Sequence, residues 1–240
     1  MRVFLFISYD GGRFQGFQQQ PHRCGVMDRV IIALKELGIS SKPVGSSRTD
    51  SGVHALSQVI HVDIPEFWSD MSKLKNTLNR LLSPSMYVRK ITAVSPEAHA
   101  RFDAKARLYR YICFTGSRNP FLSDYALFVK DINLDLANKT LQLFVGTHDF
   151  GFFKKEGSET KDDIRTLYKA DAYRHKNFVV FRFLGDGFLR SQVRMMIASL
   201  LAVQKGTLSL EDIGLQIDKK KRSITDVAEA GGLYLSRVYY

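Results

Sequence analysis

The chain has 240 residues, enough to bury a sizeable core in one large or two small domains, and its hydrophobic content of 45% is ordinary for a globular protein. Lysine and arginine number 35 against 24 aspartate and glutamate, a formal net charge of +11 that favours a polyanionic partner such as nucleic acid. The two cysteines lie far apart, the six histidines lack zinc-site spacing, and no apolar run reaches membrane length, which argues against a disulfide framework, a zinc site and a membrane span. The chain enters a strand-like segment at once, so we expect no signal peptide.

The first hundred residues alternate between strand and helix patterns. Strands are predicted over 2–8, 59–64 and 86–93, and helices over 26–37 and 71–82. Gly38 is placed to cap the first helix, and Ser83-Pro84 ends the second. Between the first strand and helix, Phe17 lies in an amide-rich loop that suits a base edge as well as an ordinary surface loop. This order predicts an α+β fold whose exposed sheet face could hold RNA.

The second half repeats the order of elements without an obvious sequence repeat. Strands are predicted over 109–114, from 165 onward and over 178–184, helices over 134–144 and 189–203, and a charged loop over 154–161. The predicted domain seam lies near residue 100, giving an N-terminal α+β domain over 1–100 and a C-terminal one over 101–240.

A polar stretch over 45–52 leads into the apolar strand at 59–64 and carries a candidate reactive carboxylate. Asp50 lies two residues after Arg48 and two before Gly52. The neighbouring guanidinium favours the ionised carboxylate, and the glycine allows close approach of backbone or ligand. Asp50 is therefore a candidate nucleophile or base, although a turn aspartate beside a surface arginine is also ordinary turn chemistry.

Cations and aromatics interleave further along the chain, as is typical of surfaces that grip phosphates and stack bases. Over 101–110 these residues are Arg101, Lys105, Arg107 and Arg110 around Phe102 and Tyr109. A solvated strand edge is the alternative. Arg190 and Arg194 share one face of the last predicted helix, and a buried arginine there needs an anion. We expect Asp50 to be that anion; a solvent-facing salt bridge is the alternative.

Several of these segments resemble the motifs of the TruA-type tRNA pseudouridine synthases, whose catalytic loop usually reads G-R-T-D-x-G-V-H-A. Residues 48–50 and 52–55 match it, with Ser47 in place of the usual glycine. Further matches, in family order, are Tyr9-Asp10-Gly11 with Phe14 and 16–18, 99–102 with 109–111, Phe188 with Val193-Arg194, and 232–235. The resemblance covers nearly the whole chain, and its several ordered motifs make it specific.

The resemblance implies two similar α/β-sandwich halves that form one continuous, mainly antiparallel sheet, with helices on one face and a basic cleft between the halves. It implies isomerisation of uridine to pseudouridine in RNA without a cofactor or metal. Asp50 would be the nucleophile or base, Arg194 would keep it ionised, and Tyr109 would stack on the uracil or accept a proton. RNA contacts are expected from Arg48, His54, His99, Arg101, Phe102, Arg107, Arg165 and Arg190.

Partners and location follow from the same resemblance. The expected substrate is tRNA, at its anticodon arm, or another structured RNA, and a homodimer is compatible with the family. We expect a cytoplasmic location, with a mitochondrial one also compatible. Arg190, Ser191 and Gln192 stand where the family often has histidine and asparagine, and the loop start at Ser46-Ser47 also differs from the common form. Together these departures look like a eukaryotic-type branch and leave the target RNA open.

Two alternatives stay open at this point. The first is an RNA-binding module of the same fold that has lost catalysis; Asp50 argues against it, because binding a polyanion needs no carboxylate. The second is a glycosidic-bond hydrolase, which needs a second carboxylate as acid, and Asp10 is the nearest motif candidate.

Overall fold

The computed structural model describes residues 1–157 and 161–240, which fall into two compact units. The first unit comprises Met1–Lys105 with Tyr234–Tyr240, and the second comprises Ala106–Leu233. Asp50 belongs to the first unit, and Tyr109 and Arg194 belong to the second. The loop predicted over 154–161 falls partly on residues 158–160, which lie outside the described residues.

The helices and strands follow the chain in a regular α+β order. They are β1 (Arg2–Tyr9), α1 (Val26–Glu36), β2 (Val44–Gly45), β3 (His54–Asp63), α2 (Met71–Leu82), β4 (Met86–Ala93), β5 (Ala106–Phe114), β6 (Leu127–Phe128), α3 (Leu134–Gln142), β7 (Gly146–Asp149), β8 (Ile164–His175), β9 (Phe178–Gly185), α4 (Gln192–Gln204), α5 (Leu210–Ile217) and β10 (Leu233–Tyr239). Along residues 1–157 and 161–240, no helix is both long and apolar enough to cross a bilayer.

Strand pairing within each unit is mainly antiparallel. In the first unit the order is β4, β1, β3, β10, with β2 beside β3, and only β10 runs parallel to its neighbour β3 among the described pairs. In the second unit the order is β5, β9, β8, β7, with the short β6 parallel to β5. The predicted α+β class with a mainly antiparallel sheet is confirmed.

The core of the first unit follows from the period-2 pattern of β1. Val3, Leu5 and Ile7 are at most 1% exposed and lie on one face of the strand, as alternation requires. Leu34 of α1 and Leu74 of α2 are equally buried, and α2 packs against both α1 and β4. This packing supports β1, which pairs with β3, the strand that follows the loop carrying Asp50.

The second unit is built around aromatic side chains on paired strands. Tyr111 of β5 lies opposite Phe181 of β9, next to Phe183, and all three are 0% exposed. Ile197 and Leu200 of α4 are also fully buried. The α4 helix thereby has the firm packing that a functional side chain in its first turn requires.

Helix boundaries differ from prediction where local chemistry decides them. The Gly38 cap is confirmed, since its φ of +71° is the left-handed conformation that a helix end favours. The helix predicted over 189–203 begins only at Gln192, because Ser191 has a φ of +59° that cannot continue a helix. The α5 helix was not predicted, although Ser209 and Asp212 form a capping box at its start.

Candidate functional site

Buried polar side chains anchor the loop before Asp50 to the first unit. The Ser46 hydroxyl donates to Gln58 Oε1 at 2.6 Å, and Gln58 Nε2 donates to the Ser47 carbonyl at 2.8 Å. Gln58 is 0% exposed, so these bonds compete with no bulk water. Thr49 is also buried, and its hydroxyl hydrogen-bonds the Tyr9 hydroxyl at 2.8 Å. The loop therefore has fixed points immediately before the carboxylate.

The N-terminal motif supports the same loop from below. The Phe17 backbone N–H donates to the Thr49 carbonyl at 3.0 Å, and the Phe17 ring fills the space that a side chain at Gly45 would need. Gly16 has a φ of +85°, and a Cβ there would come within 3.3 Å of the Thr49 carbonyl. Phe17 is only 4% exposed, so it is a support of the loop, and the interpretation of it as a base-contacting aromatic is wrong.

The side chains at 48 and 50 differ from these anchors. Arg48 is exposed, and in the described part of the chain its guanidinium makes no hydrogen bond or ion pair. Asp50 is half-buried, and its carbonyl accepts from the Val53 N–H at 3.1 Å, which closes the turn into β3. The loop thus holds its buried residues firmly and carries a cation and a carboxylate with one residue, Thr49, between them.

His54 lies in the interior of the first unit. The residue is 2% exposed, its Nδ1 accepts from the Gly11 N–H at 3.0 Å, and its ring stacks on Tyr234 with centroids 4.8 Å apart. The expected direct contact of His54 with RNA stays a prediction, and a side chain this buried has little surface to offer RNA. Its position instead suits a residue that fixes the turn at Gly11.

Asp10 was the candidate second carboxylate for a hydrolase. Its Oδ1 accepts from the Gly12 N–H at 3.1 Å, and its Oδ2 accepts from Arg13 Nε at 3.2 Å. Oδ1 also lies 3.3 Å from Nδ1 of His54. Since Oδ1 caps the 3₁₀ turn at Gly11–Arg13 and Oδ2 forms an ion pair with Arg13, this carboxylate has a structural task, which argues against the proton donor that a hydrolase needs.

His99, Arg101 and Phe102 form one compact surface turn. Nδ1 of His99 accepts from the backbone N–H groups of Arg101 and Phe102, both at 3.1 Å. The Phe102 ring is 76% exposed, stacks on His99 with centroids 4.2 Å apart, and has the Arg101 guanidinium 5.9 Å from its centre. An exposed ring backed by imidazole and flanked by a cation is suited to stacking a nucleobase.

Tyr109 is held by the turn that follows β9. Its ring meets the edge of Phe188 with centroids 5.1 Å apart at 78°. That turn is fixed by Asp186, whose Oδ1 accepts from the Thr166 N–H at 3.1 Å and whose carbonyl accepts from Arg107 Nη1 at 2.6 Å. Arg107, expected to bind RNA, therefore has a structural bond as well.

The other predicted cations of the second unit lie on its surface or in its loops. Arg165 Nη1 donates to Asp162 Oδ1 at 3.0 Å and also to the Ile164 carbonyl. Arg190 is exposed and lies 3.5 Å from the Glu156 carbonyl. Both guanidinium groups keep exposed or partly exposed positions, as RNA-binding residues would.

Arg194 lies in the first turn of α4 and is hydrogen-bonded to the segment before β10. Its Nε donates to the Ala228 carbonyl at 2.7 Å, and its own carbonyl accepts from the Ala228 N–H at 3.1 Å. The neighbouring Glu229 carbonyl accepts from the Tyr111 hydroxyl at 2.9 Å, and burial raises the pKa of Tyr111, so that hydroxyl stays protonated as a donor. The direction of the Arg194 guanidinium is therefore set by main-chain contacts.

Sequence reasoning missed the residues that hold the reactive ones. Ser46 and Gln58 lie outside the matching motif residues, and Asp186 sits in a Gly-Asp-Gly turn that reads as an ordinary hairpin. No pattern in one sequence links Asp186 to Thr166, twenty residues away. Over residues 1–157 and 161–240, no group of three histidine, cysteine, aspartate or glutamate side chains could hold a metal ion.

Comparison with known proteins supplies the family. A family profile described as tRNA pseudouridine synthase matches residues 140–240. The chain is 40% identical over 240 residues to tRNA pseudouridine synthase A of Campylobacter jejuni (strain RM1221), and 40% identical over 245 residues to that of Helicobacter pylori (strain P12); each match covers 100% of both chains. Among solved structures, the crystal structure of a Cbf5-Nop10-Gar1 complex is similar at a TM-score of 0.41 and 11% identity, over 98% of this chain and 49% of that one.

The relatives bear on the motif departures as well as on the family. Both are bacterial, so these matches give no support to the eukaryotic-type branch indicated by the motif departures. Full-length identity of 40% is far above the level at which shared fold alone would be the conclusion. The chain belongs to the tRNA pseudouridine synthase A (TruA) family.

Proposed function

We propose that this protein isomerises uridine to pseudouridine in tRNA. The reaction breaks the N1–C1′ glycosidic bond and forms a C5–C1′ bond to the same base, while C5 loses a proton and N1 gains one. Atoms and electrons balance within the substrate, so the residues of the site need only hold the nucleotide, assist departure of the base and move a proton.

The observation that carries the proposal is the construction of the Asp50 loop. Ser46 and Thr49 are anchored by buried partners, whereas Arg48 is exposed and Asp50 is half-buried. A carboxylate on a rigid loop suits attack on C1′ as a nucleophile, and it equally suits removal of a proton that triggers departure of the base. Asp50 performs one of these two roles.

Two residues of the second unit complete the proposed chemistry. Arg194 serves as the cation that keeps Asp50 ionised, which its fixed position on α4 supports. Tyr109, held edge-on by Phe188, stacks on the uracil or accepts the proton that leaves C5. Main-chain and aromatic contacts that immobilise both side chains favour a reactive role, since catalysis needs groups held in place.

The target uridine must leave its stack before Asp50 can reach its sugar. Arg48 is placed to fill the vacated space or to hold a phosphate, because its exposed guanidinium has no partner among the described residues. The exposed Phe102 ring with Arg101 offers a second contact for a base. We place the target in the anticodon arm and the protein in a homodimer, which the family resemblance supports; mapping of the modified position and sedimentation of the purified protein test these two points.

The first test replaces the proposed reactive group. Asp50→Asn should abolish tritium release from tRNA labelled at C5 of uridine and leave tRNA affinity within about twofold, since the amide keeps the shape and loses the charge. Asp70→Asn, the same change at the cap of α2, is the matched control and should keep full activity. Wild-type rates in Asp50→Asn would refute the assignment.

The second test addresses Arg194. Arg194→Ala should lower both the melting temperature and the rate, because it removes the bond to Ala228 and the proposed counter-ion together. Arg194→Lys keeps the charge and should recover part of the rate. A variant with wild-type melting and rate would exclude Arg194 from this role.

The affinity for tRNA should also fall steeply as the salt concentration rises, and an affinity that does not change with salt would contradict binding through the phosphates.

A further inference from the structure

A row of charged side chains crosses the second unit on one sheet face. Successive side chains of a strand alternate, so Arg110 of β5 points to the face opposite that of Tyr109. Arg110 lies directly opposite Arg182 of β9, and Arg182 lies directly opposite Asp171 of β8. Three neighbouring strands thus present two guanidinium groups and one carboxylate in line.

The carboxylate of this row, Asp171, already pairs with two cations. Arg182 donates to Asp171 from Nε at 2.8 Å and also from Nη2, and Lys169 Nζ lies 3.3 Å from Oδ2 of the same group. Arg182 also lies over the Tyr173 ring, 5.0 Å from its centre. Asp171 therefore balances Arg182 and part of Lys169, and its oxygens are turned toward those two cations.

Within the described residues, Arg110 is the member of this row whose charge has no ion-pair partner. It is half-buried, its Nε is inaccessible to solvent, and that N–H has no acceptor within residues 1–157 and 161–240. Its guanidinium forms no ion pair in that same part of the chain. A buried donor without an acceptor costs stability, and two like charges directly opposite on a sheet cost more.

We propose that Arg110 and Arg182 form a binding site for a phosphate group of RNA. Guanidinium groups match phosphate oxygens with paired N–H donors, and a phosphate on this sheet face would balance the charge of Arg110, which has no ion pair among the described residues. Exposed Lys169 adds charge beside the site. This site lies on the sheet face opposite Tyr109, so it is separate from the catalytic residues, and RNA as the source of the phosphate rests on the proposed function.

The test is Arg110→Met, which keeps an apolar stem and removes the charge. Removing an unbalanced cation should raise the melting temperature by about 1–2 °C. The same change should lower tRNA affinity about three- to tenfold near 0.1 M salt and reduce the slope of log affinity against log salt by about one. A gain in stability together with a loss of binding cannot arise from damage to the fold.

Arg174→Met is the matched control on the same strand. Arg174 is paired, donating to Asp131 at 2.8 Å and to the Ile132 carbonyl at 3.0 Å. Its loss should lower the melting temperature and leave the salt slope unchanged. A fall in melting temperature with unchanged tRNA affinity in Arg110→Met would overturn the proposal. Should that variant not fold, Arg110→Lys, which keeps the charge without the fork, should lose affinity about threefold, and unchanged affinity would overturn the site.

Inorganic phosphate tests whether the site binds free phosphate or a phosphate group of RNA. At matched ionic strength it should raise the melting temperature of the wild-type protein and not that of Arg110→Met; equal effects would overturn the site. Phosphate stabilisation that depends on Arg110, with tRNA affinity that does not, would overturn the assignment to RNA. An inactive wild-type protein whose tRNA affinity still depends on Arg110 would refute the proposed function and leave this site standing.

Discussion

The hydrogen bond between Thr49 and Tyr9 offers a direct measure of how far the fold controls the reactive loop. Thr49→Val keeps the side-chain shape and removes a buried hydroxyl that lies 2.8 Å from its partner. Losing one buried hydrogen bond costs about 1–2 kcal/mol, which should lower the melting temperature of a chain this size by about 2–8 °C. Because Thr49 precedes Asp50, a shift of the carboxylate by about 1 Å should lower kcat by about ten- to a hundredfold. KM for tRNA should stay near its wild-type value, since buried Thr49 offers no surface to the RNA.

A double-mutant cycle makes this reasoning refutable. Tyr9→Phe removes the other hydroxyl of the same bond, so the double variant should be more stable than the sum of the single losses implies, by about 1 kcal/mol. Chemical denaturation supplies the stabilities, and tritium release under saturating tRNA supplies kcat. Strictly additive losses, or an unchanged kcat in both single variants, would show that this bond does not position the loop.

Two further predictions concern other supports of the site, and a third concerns the start of α5. Asp186→Ala should lower kcat with little change in KM, because Thr166 loses its acceptor and the turn carrying Phe188 loosens, while Asp186→Asn keeps an acceptor and should restore the rate. Phe17→Ala should cost about 3–5 kcal/mol of stability in denaturant titration, since it empties a buried space against the loop. The Lys221 ammonium lowers the pKa of Asp212 from 3.8 to about 2, so its stabilisation is present above pH 4 and lost as pH falls toward 2.

Each of these has a matched comparison. Asn133→Ala removes a similar backbone cap at α3 and should lower stability without changing kcat, which separates positioning from general loosening. Phe67 is 70% exposed, so Phe67→Ala should cost far less than the change at Phe17. The gap in melting temperature between wild type and Asp212→Ala should close on acidification; a gap that persists at pH 2 would contradict the linkage.

The helices and strands could be predicted from the sequence where a single hydrophobic periodicity dominated the segment. Alternation in β1 and the three-to-four spacing of leucines in α2 fixed those elements to within a residue. The start of α4 did not follow, because the left-handed conformation of Ser191 is imposed by tertiary context and leaves no mark in composition. The α5 helix carried a readable signal in its capping box, but eight residues gave too few turns for periodicity to register.

The residues of the candidate site also differ in whether local sequence could identify them. Asp50 and Arg48 could be found from local residues, since a carboxylate beside a cation in a glycine-bounded turn is a local pattern. The burial of His54 and Phe17 could not be predicted from neighbouring residues, because burial depends on which distant segments pack against a residue. His54 is hydrogen-bonded to Gly11 and stacks on Tyr234, which lies 180 residues later in the sequence. Residues that act through long-range contacts stay invisible until the packing is known.

The placement of β10 has a consequence for how the protein is made. Residues 234–240 belong with 1–105, and β10 lies beside β3 while Lys105 donates to the Tyr239 carbonyl. A ribosome must therefore synthesise all of residues 106–233 before the strand that completes the first unit emerges. Until then the edge of β3 at His54 and Ala55 stays open and the Tyr234 ring that stacks on His54 is missing, so the nascent chain completes this part of the first unit last.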